Sequence, residues 1–265
     1  MPPCLLQAVL WYNHNMDNSN ELIKKRFIEL SKRAGERGCL LYTGFLSLNE
    51  QALLCSLARF LYSEYALYGG ADGCERRMAR FGHSGEEGFS DFPIECVEIA
   101  AKSEKFSAPL THRDCLGALM SMGVEREKIG DIVVRGKKAY VFTDRQLAHF
   151  FAGGLDSVGR TSVACSVGAH LPEGELYKTE EVAIRVASLR SDSMIAQLFR
   201  LSRGDAAALF AKELVFINGG MAKSASSAPK EGDIVSVRGY GRFIIEGVSG
   251  ESKKGKLIVK LKRFV

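Results

Sequence analysis

The sequence predicts an α+β protein in three parts, and three observations carry that reading. Apolar residues recur at helical spacing near the start, a β-α-β-β-α-β order of patterns fills the middle, and two short helices precede a run of strands in a basic C-terminal third. A chain of 265 residues is long enough to bury more than one core. The parts are expected at residues 1–88 (mainly helical), 89–180 (a ferredoxin-like, RRM-like α+β layer) and 181–265 (α/β).

Taken in order, Leu22, Ile23, Phe27 and Leu30 share one helical face, and Gly35 and Gly38 mark the stop. Ser47-Leu48-Asn49-Glu50 is a capping box, in which the serine hydroxyl and the glutamate carboxylate satisfy the first free amides of a second helix, expected to run to Gly69-Gly70. The loop from His83 to Pro93 is the expected boundary. Ile94 to Ala100 then reads as a strand, Thr111 to Met122 as a helix stopped by Gly123, and Asp131 to Arg135 with Lys138 to Phe142 as a hairpin about Gly136. Thr143 caps a helix that ends at Gly153-Gly154, and Thr161 to Val167 reads as a strand. This order is the split β-α-β signature of helices layered on an antiparallel sheet. Beyond it come a strand at residues 181–188, helices at 192–199 and 203–212, a strand at 214–218 ending in Asn218-Gly219, and three more strands at 233–239, 242–248 and 256–264.

Hydrophobic residues make up 46% and charged residues 25%, as in ordinary globular proteins. The seven cysteines, Cys4, Cys39, Cys55, Cys74, Cys96, Cys115 and Cys165, are odd in number and never closely paired. That spacing points to reduced thiols in a cytoplasmic protein, away from a disulfide framework or a zinc site, so no metal is expected. The apolar run at the start is too short for a membrane span and lacks the basic segment of a signal peptide, so no membrane partner is expected. Charge is segregated: residues 183–265 hold 15 Lys plus Arg against 7 Asp plus Glu, a net +8, while the preceding residues carry a net −3. Such a distribution is the electrostatic footprint of a polyanion partner, with a solubilising basic face as the alternative.

Ser202 and Asp205 form an S-x-x-D helix start. Arg203 then sits in the first turn, where the helix dipole disfavours a cation, and a phosphate bound to the free amides would favour it. Arg238 and Arg242 flank Tyr240 in a turn, where the ring would stack on an exposed base or cover the hairpin. Lys253, Lys254 and Lys256 read as phosphate contacts. Arg76, Arg77 and Arg80 offer a second RNA contact within about a helical turn, or a solvated helix face. His112 and Arg113 follow Thr111 in T-x-x-D, where a helix cap with exposed first-turn residues, Arg113 free to meet a phosphate, outweighs a His112/Asp114 general base. No nucleophile elbow and no phosphate-binding glycine loop accompanies them.

The run Arg190-Ser191-Asp192, Ser202-Arg203, Val215 to Gly219 and Gly232-Asp233 resembles the RNA-binding domain named after small-subunit ribosomal protein S4. That resemblance puts Arg190, Ser202, Arg203, Lys212, Asn218 and Lys223 on RNA-facing positions, with Arg200 and Lys230 completing the set. Ser191 stands where the family has leucine, and Glu213 where it has glycine. Four longer stretches, at residues 42–51, 69–81, 111–134 and 236–256, are similar to the bacterial YlmH family, whose members combine a helical N-terminal part, a central RNA-binding-domain-like part and an S4 domain. The resemblance implies a non-enzymatic, cofactor-free factor that binds rRNA and tRNA on large ribosomal subunits blocked by peptidyl-tRNA and supports alanine tailing in ribosome-associated quality control. No small-molecule substrate is expected. The rival classes are an RNA-modifying enzyme, of pseudouridine synthase or methyltransferase type, and a protein-interaction scaffold. Against the first, no catalytic-aspartate strand motif and no glycine-rich turn for S-adenosylmethionine occurs.

Overall fold

The computed structural model describes residues 5–85, 91–103, 105, 107–172, 174, 176–222 and 224–265, with side chains from residue 20 onward. The chain divides into two compact units at Leu176/Tyr177. The first contains α1 (Leu5–Arg37), β1 (Leu41–Leu46), α2 (Leu48–Ser56), β2 (Tyr65–Tyr68), β3 (Arg77–Phe81), β4 (Ile94–Ala101), α3 (His112–Ser121), β5 (Ile129–Arg135), β6 (Lys138–Asp144), α4 (Arg145–Gly154), β7 (Ser157–Val158) and β8 (Thr161–Val167). The second contains β9 (Thr179–Val186), α5 (Ser191–Phe199), α6 (Arg203–Ala211), β10 (Val215–Ile217), β11 (Gly220–Met221), β12 (Ile234–Val237), β13 (Gly241–Glu251) and β14 (Leu257–Phe264). Among the described residues, no helix is long and apolar enough to cross a membrane. The expected boundary at 88/89 lies outside the described residues.

The N-terminal part holds the expected helices, and beside them a sheet that the sequence did not suggest, in which β1, β3 and β2 pair antiparallel in that order. The Ser47/Glu50 capping box forms, but α2 ends at Ser56 rather than at Gly69-Gly70. Residues from Tyr65 on pair instead with β3, Tyr65 opposite Phe81 and Tyr68 opposite Met78.

The five-stranded sheet runs β5-β6-β4-β8-β7, antiparallel throughout, so that β6 sits between β5 and β4, the two strands joined through α3. Strand periodicity divides its residues between two cores. Ile99, Ala139, Val141 and Val163 face Cys115 and Leu119 of α3 and Phe151 of α4. Cys96, Val133, Tyr140 and Phe142 face the other way, onto Phe45 of β1, Met78 of β3, Cys74 and Phe92. The far face of the N-terminal sheet is closed by α1 and α2, through Phe27, Ala34 and Leu54 against Leu46, Ala79 and Phe81. The unit is thus four layers deep, helices outside and two sheets within.

The two sheets approach closely because glycines face aromatic rings. Gly70 has φ 104°, and a Cβ there would lie 2.3 Å from the ring of Phe142. Gly70→Ala is therefore expected to destabilise the first unit by about 1–3 kcal/mol, measured by denaturant unfolding. Burial pushes the thiols of Cys74 and Cys96 up to about 12 and those of Cys115 and Cys165 up to about 11, while Cys39 and Cys55 are exposed. Alkylation at about pH 8, followed by mass spectrometry, should label Cys39 and Cys55 before Cys74, Cys96, Cys115 and Cys165, which should react only after denaturation.

In the second unit a six-stranded antiparallel sheet, β11-β10-β12-β13-β14-β9, carries α5 and α6 on one face. Met194, Ile195, Ala206 and Leu209 of the helices bury Val235, Val237, Phe243, Val259 and Leu261 of the strands. The small side chain of Ala206 lets α6 come close. Asn218 and Gly219 both have positive φ, 49° and 76°, and form the two-residue turn between β10 and β11 that Asn-Gly favours.

Candidate nucleic-acid interface

The cationic surface of the second unit is built at the starts of its two helices, around one buried carboxylate. Asp192, in the first turn of α5, has a side chain only 3% exposed. Arg190, at the N-cap of the same helix, donates from Nε and Nη2 to the two Asp192 oxygens at 3.0 and 2.7 Å. Arg203, opening α6, brings its Nε to 3.7 Å from the same carboxylate and stays 66% exposed. One anion therefore holds an arginine from each helix start while leaving donors of both turned outward. An external phosphate is thus not the sole compensation for Arg203 at the start of α6, since Asp192 supplies part of it from within the chain. The Arg190 hydrogen bonds, ahead of its charge and that of Arg203, hold the Asp192 carboxyl below its usual range.

Neighbouring contacts fix the same corner. Ser202 caps α6, its hydroxyl accepting from the Asp205 amide at 3.0 Å and donating to the Asp205 carboxylate at 2.6 Å. The Ser191 hydroxyl donates to the Ser227 carbonyl at 2.8 Å, and the Asp192 amide to the Ala225 carbonyl at 3.0 Å, so the serine-rich loop is tied to the start of α5. The departure from leucine at position 191 thus makes a polar clasp rather than loose packing. Glu213, the other departure, sits at φ 57°, where glycine is unstrained and glutamate is not.

Of the remaining expected residues, Arg200 is exposed in a left-handed conformation after α5, and Lys212 and Lys230 are exposed. Asn218 is turned inward: its amide donates to Asp233 at 2.8 Å and its carbonyl oxygen accepts from the Ile234 amide at 2.9 Å, so it scaffolds β12. Lys223 lies outside the described residues. Arg238 and Arg242 do not flank the ring of Tyr240. They lie over Phe216 at 4.5 Å and Phe264 at 4.4 Å, while Tyr240 packs on Phe199, ring centroids 5.7 Å apart. Lys253 and Lys254 are exposed in the β13–β14 turn.

The second contact expected at Arg76, Arg77 and Arg80 does not form a basic face. Arg76 donates from Nε to the Ile129 carbonyl at 3.2 Å and from Nη2 to the Phe45 carbonyl, bridging the two sheets of the first unit. Arg77 donates to the Cys74 carbonyl at 2.8 Å, and Arg80 grips Asp91 at 2.7 and 2.9 Å beside the ring of Phe92. These residues lie on or next to a strand whose partners hold them half-buried. His112 and Arg113 are exposed on α3 beyond the cap, where the Thr111 hydroxyl accepts from the Asp114 amide at 3.1 Å. The role of Asp192 escaped the sequence reading, although a carboxylate two residues after an arginine at a helix start was a visible signal.

Replacing Asp192 with asparagine should lower the stability of the second unit by about 1–3 kcal/mol at neutral pH. Because the folded-state pKa of Asp192 is depressed, its contribution is present above the ordinary carboxylate range and lost as pH falls through the depressed value. Denaturant unfolding of wild type and Asp192→Asn across acidic pH should accordingly show two curves converging.

Residues 88–169, spanning the five-stranded sheet with α3 and α4, match the family model described as "Putative RNA-binding domain in YlmH". Across 257 residues, 95% of this chain and 98% of the relative, the chain is 28% identical to ribosome-associated protein quality control protein P2 of Bacillus subtilis. The solved structure of cell division protein ylmH from Streptococcus pneumoniae is 27% identical, covers 56% of this chain and 90% of its own, and superposes with a TM-score of 0.47. The chain thus carries a YlmH-type RNA-binding domain in its middle and is similar, almost end to end, to a ribosome-associated quality control protein.

Proposed function

We propose that the protein is a non-enzymatic, cytoplasmic RNA-binding factor that grips structured rRNA or tRNA on the large ribosomal subunit with its C-terminal unit, acting as an S4-type domain. The observation that carries the reading is the pair Arg190 and Arg203, held by Asp192 at two adjoining helix starts in the most basic part of the chain. Helix starts present free amides to phosphate oxygens, and an arginine fork adds charge-assisted bonds. Arg200, Lys212 and Lys230 extend that footprint, and Lys223 belongs to it by resemblance. Such a surface reads phosphates and shape rather than base sequence, as double-helical RNA requires.

The name of the Bacillus subtilis relative supports placement in ribosome-associated quality control. On that reading the factor recognises large subunits blocked by peptidyl-tRNA and supports C-terminal tailing of the stalled chain. Residues 1–88 and 89–180 form its N-terminal and RNA-binding-domain-like parts and 181–265 its RNA grip.

Arg203→Ala should leave the melting temperature near that of wild type, since the side chain is mostly exposed, while weakening RNA binding on every sequence and lowering the salt slope by about 1. Crosslinking with sequencing of the bound RNA, in cells carrying either form, should recover large-subunit rRNA and tRNA with wild type and lose both with the variant. A chemically modified nucleotide at the crosslink would overturn the non-enzymatic reading, and affinity unchanged by Arg203→Ala would move the footprint elsewhere.

A further inference from the structure

Along the edge of the six-stranded sheet, β9 and the C-terminal half of α5 enclose two adjoining cavities of about 640 and 430 Å³ that share Ala183 and Gln197 as walls. Both volumes fall in the range of small-ligand sites, about 300–1,000 Å³. We propose that together they form a groove for single-stranded RNA, in which one unpaired base stacks on Tyr240 at the larger end and the following phosphates pass the lysines at the smaller end. The proposal rests on the RNA-binding reading above and adds a second, chemically different mode to it.

The larger end is an aromatic platform. Phe243 is buried, Phe199 packs on it with centroids 6.1 Å apart, and Tyr240 packs on Phe199 while remaining 42% exposed. The outermost ring is thereby held by a stack reaching into the core, so little of its freedom remains to be lost when a base covers it. Arg200 and Arg263 line the same cavity. Glu180, the acidic lining residue, is paired with Arg263 at 3.5 Å, which offsets its repulsion of a phosphate. The smaller end is lined by Arg185, Lys253, Lys254 and Lys256, the lysines standing on a turn ordered by bonds from the Ser252 amide to the Lys256 carbonyl and from the Lys256 amide to the Ser252 hydroxyl.

Aromatic ring followed by cations is the arrangement by which proteins hold single strands, stacking a base and tracking its backbone. A duplex keeps its bases stacked on one another and has no free face for Tyr240. An acidic peptide could satisfy the lysines but offers no flat π-face to the ring.

The test compares a short single-stranded RNA carrying 2-aminopurine with a blunt RNA duplex, each titrated into the full-length protein. Wild type should quench the fluorophore. Tyr240→Ala should abolish the quench and weaken the single strand by about 5- to 100-fold, leaving the duplex within about twofold, while Tyr240→Phe restores both. Lys253→Ala with Lys254→Ala should lower the single-strand salt slope by about 1.4. If Tyr240→Ala binds both RNAs as wild type does while Arg203→Ala loses the duplex, the groove is wrong and the proposed function stands. If wild type binds neither RNA, both fall. Equal losses on the two RNAs, or an acidic peptide that binds the groove more tightly than RNA in a Tyr240-dependent way, would overturn the groove as well.

Discussion

The architecture of the first unit depends on covering the second face of the five-stranded sheet. A four-stranded sheet backed by two helices leaves one face open, and in RRM modules that face stacks bases on exposed aromatics. Here the equivalent face carries Tyr140 and Phe142, and both are buried under β1, β3 and the Phe92 loop. Covering it brings backbone polar groups into a dry layer, and these find specific partners. The buried Asp131 carboxylate accepts from the amides of Glu75 and Arg76, while the Arg76 guanidinium satisfies the carbonyls of Phe45 and Ile129. Arg126 donates to the Ile129 carbonyl at the same seam, and burial, ahead of the charge of Arg76, lowers its pKa to about 10.

That seam shapes the functional reading. With its aromatic face closed, the central sheet cannot bind single strands in the RRM manner without losing its core. On the proposed reading, base stacking falls to the second unit, at a place distinct from the arginines of the helix starts. Asp192 organises two arginines at the helix starts, and the Phe243, Phe199 and Tyr240 stack ends in a partly exposed ring in the β12–β13 turn.

Much of the fold was legible because it follows from local chemistry. The Ser47, Thr111 and Ser202 caps, the Asn218-Gly219 turn and the order of strands and helices from Ile94 to Val167 need only neighbours within a few residues. The N-terminal sheet was missed because its strands are short, and each becomes a strand only by pairing with another, as Leu41 does with Phe81. Arg76 and Arg80 illustrate the same limit at the level of side chains. As a cluster they look like a cationic face, yet the partners that absorb Arg76 lie 31 and 53 positions away and the carboxylate that takes Arg80 belongs to a different loop. Charge count in sequence cannot distinguish an arginine that meets solvent from one that satisfies a carbonyl.

The arginines at the helix starts differ from those of the seam in one physical respect. Arg76 and Arg80 bond to groups that hold them among packed side chains, whereas Arg190 and Arg203 lean on a carboxylate that is buried while they remain outside. Asp192 can therefore orient both guanidinium groups without consuming all of their donors. An arginine already oriented loses less side-chain entropy when it meets a phosphate, so part of the cost of binding is met on folding. The same carboxylate also opposes RNA, being a like charge beneath the surface, and bidentate engagement by Arg190 limits that opposition. Removing Arg190 should thus cost more than one phosphate contact, because it leaves Asp192 under-compensated against both the fold and the polyanion.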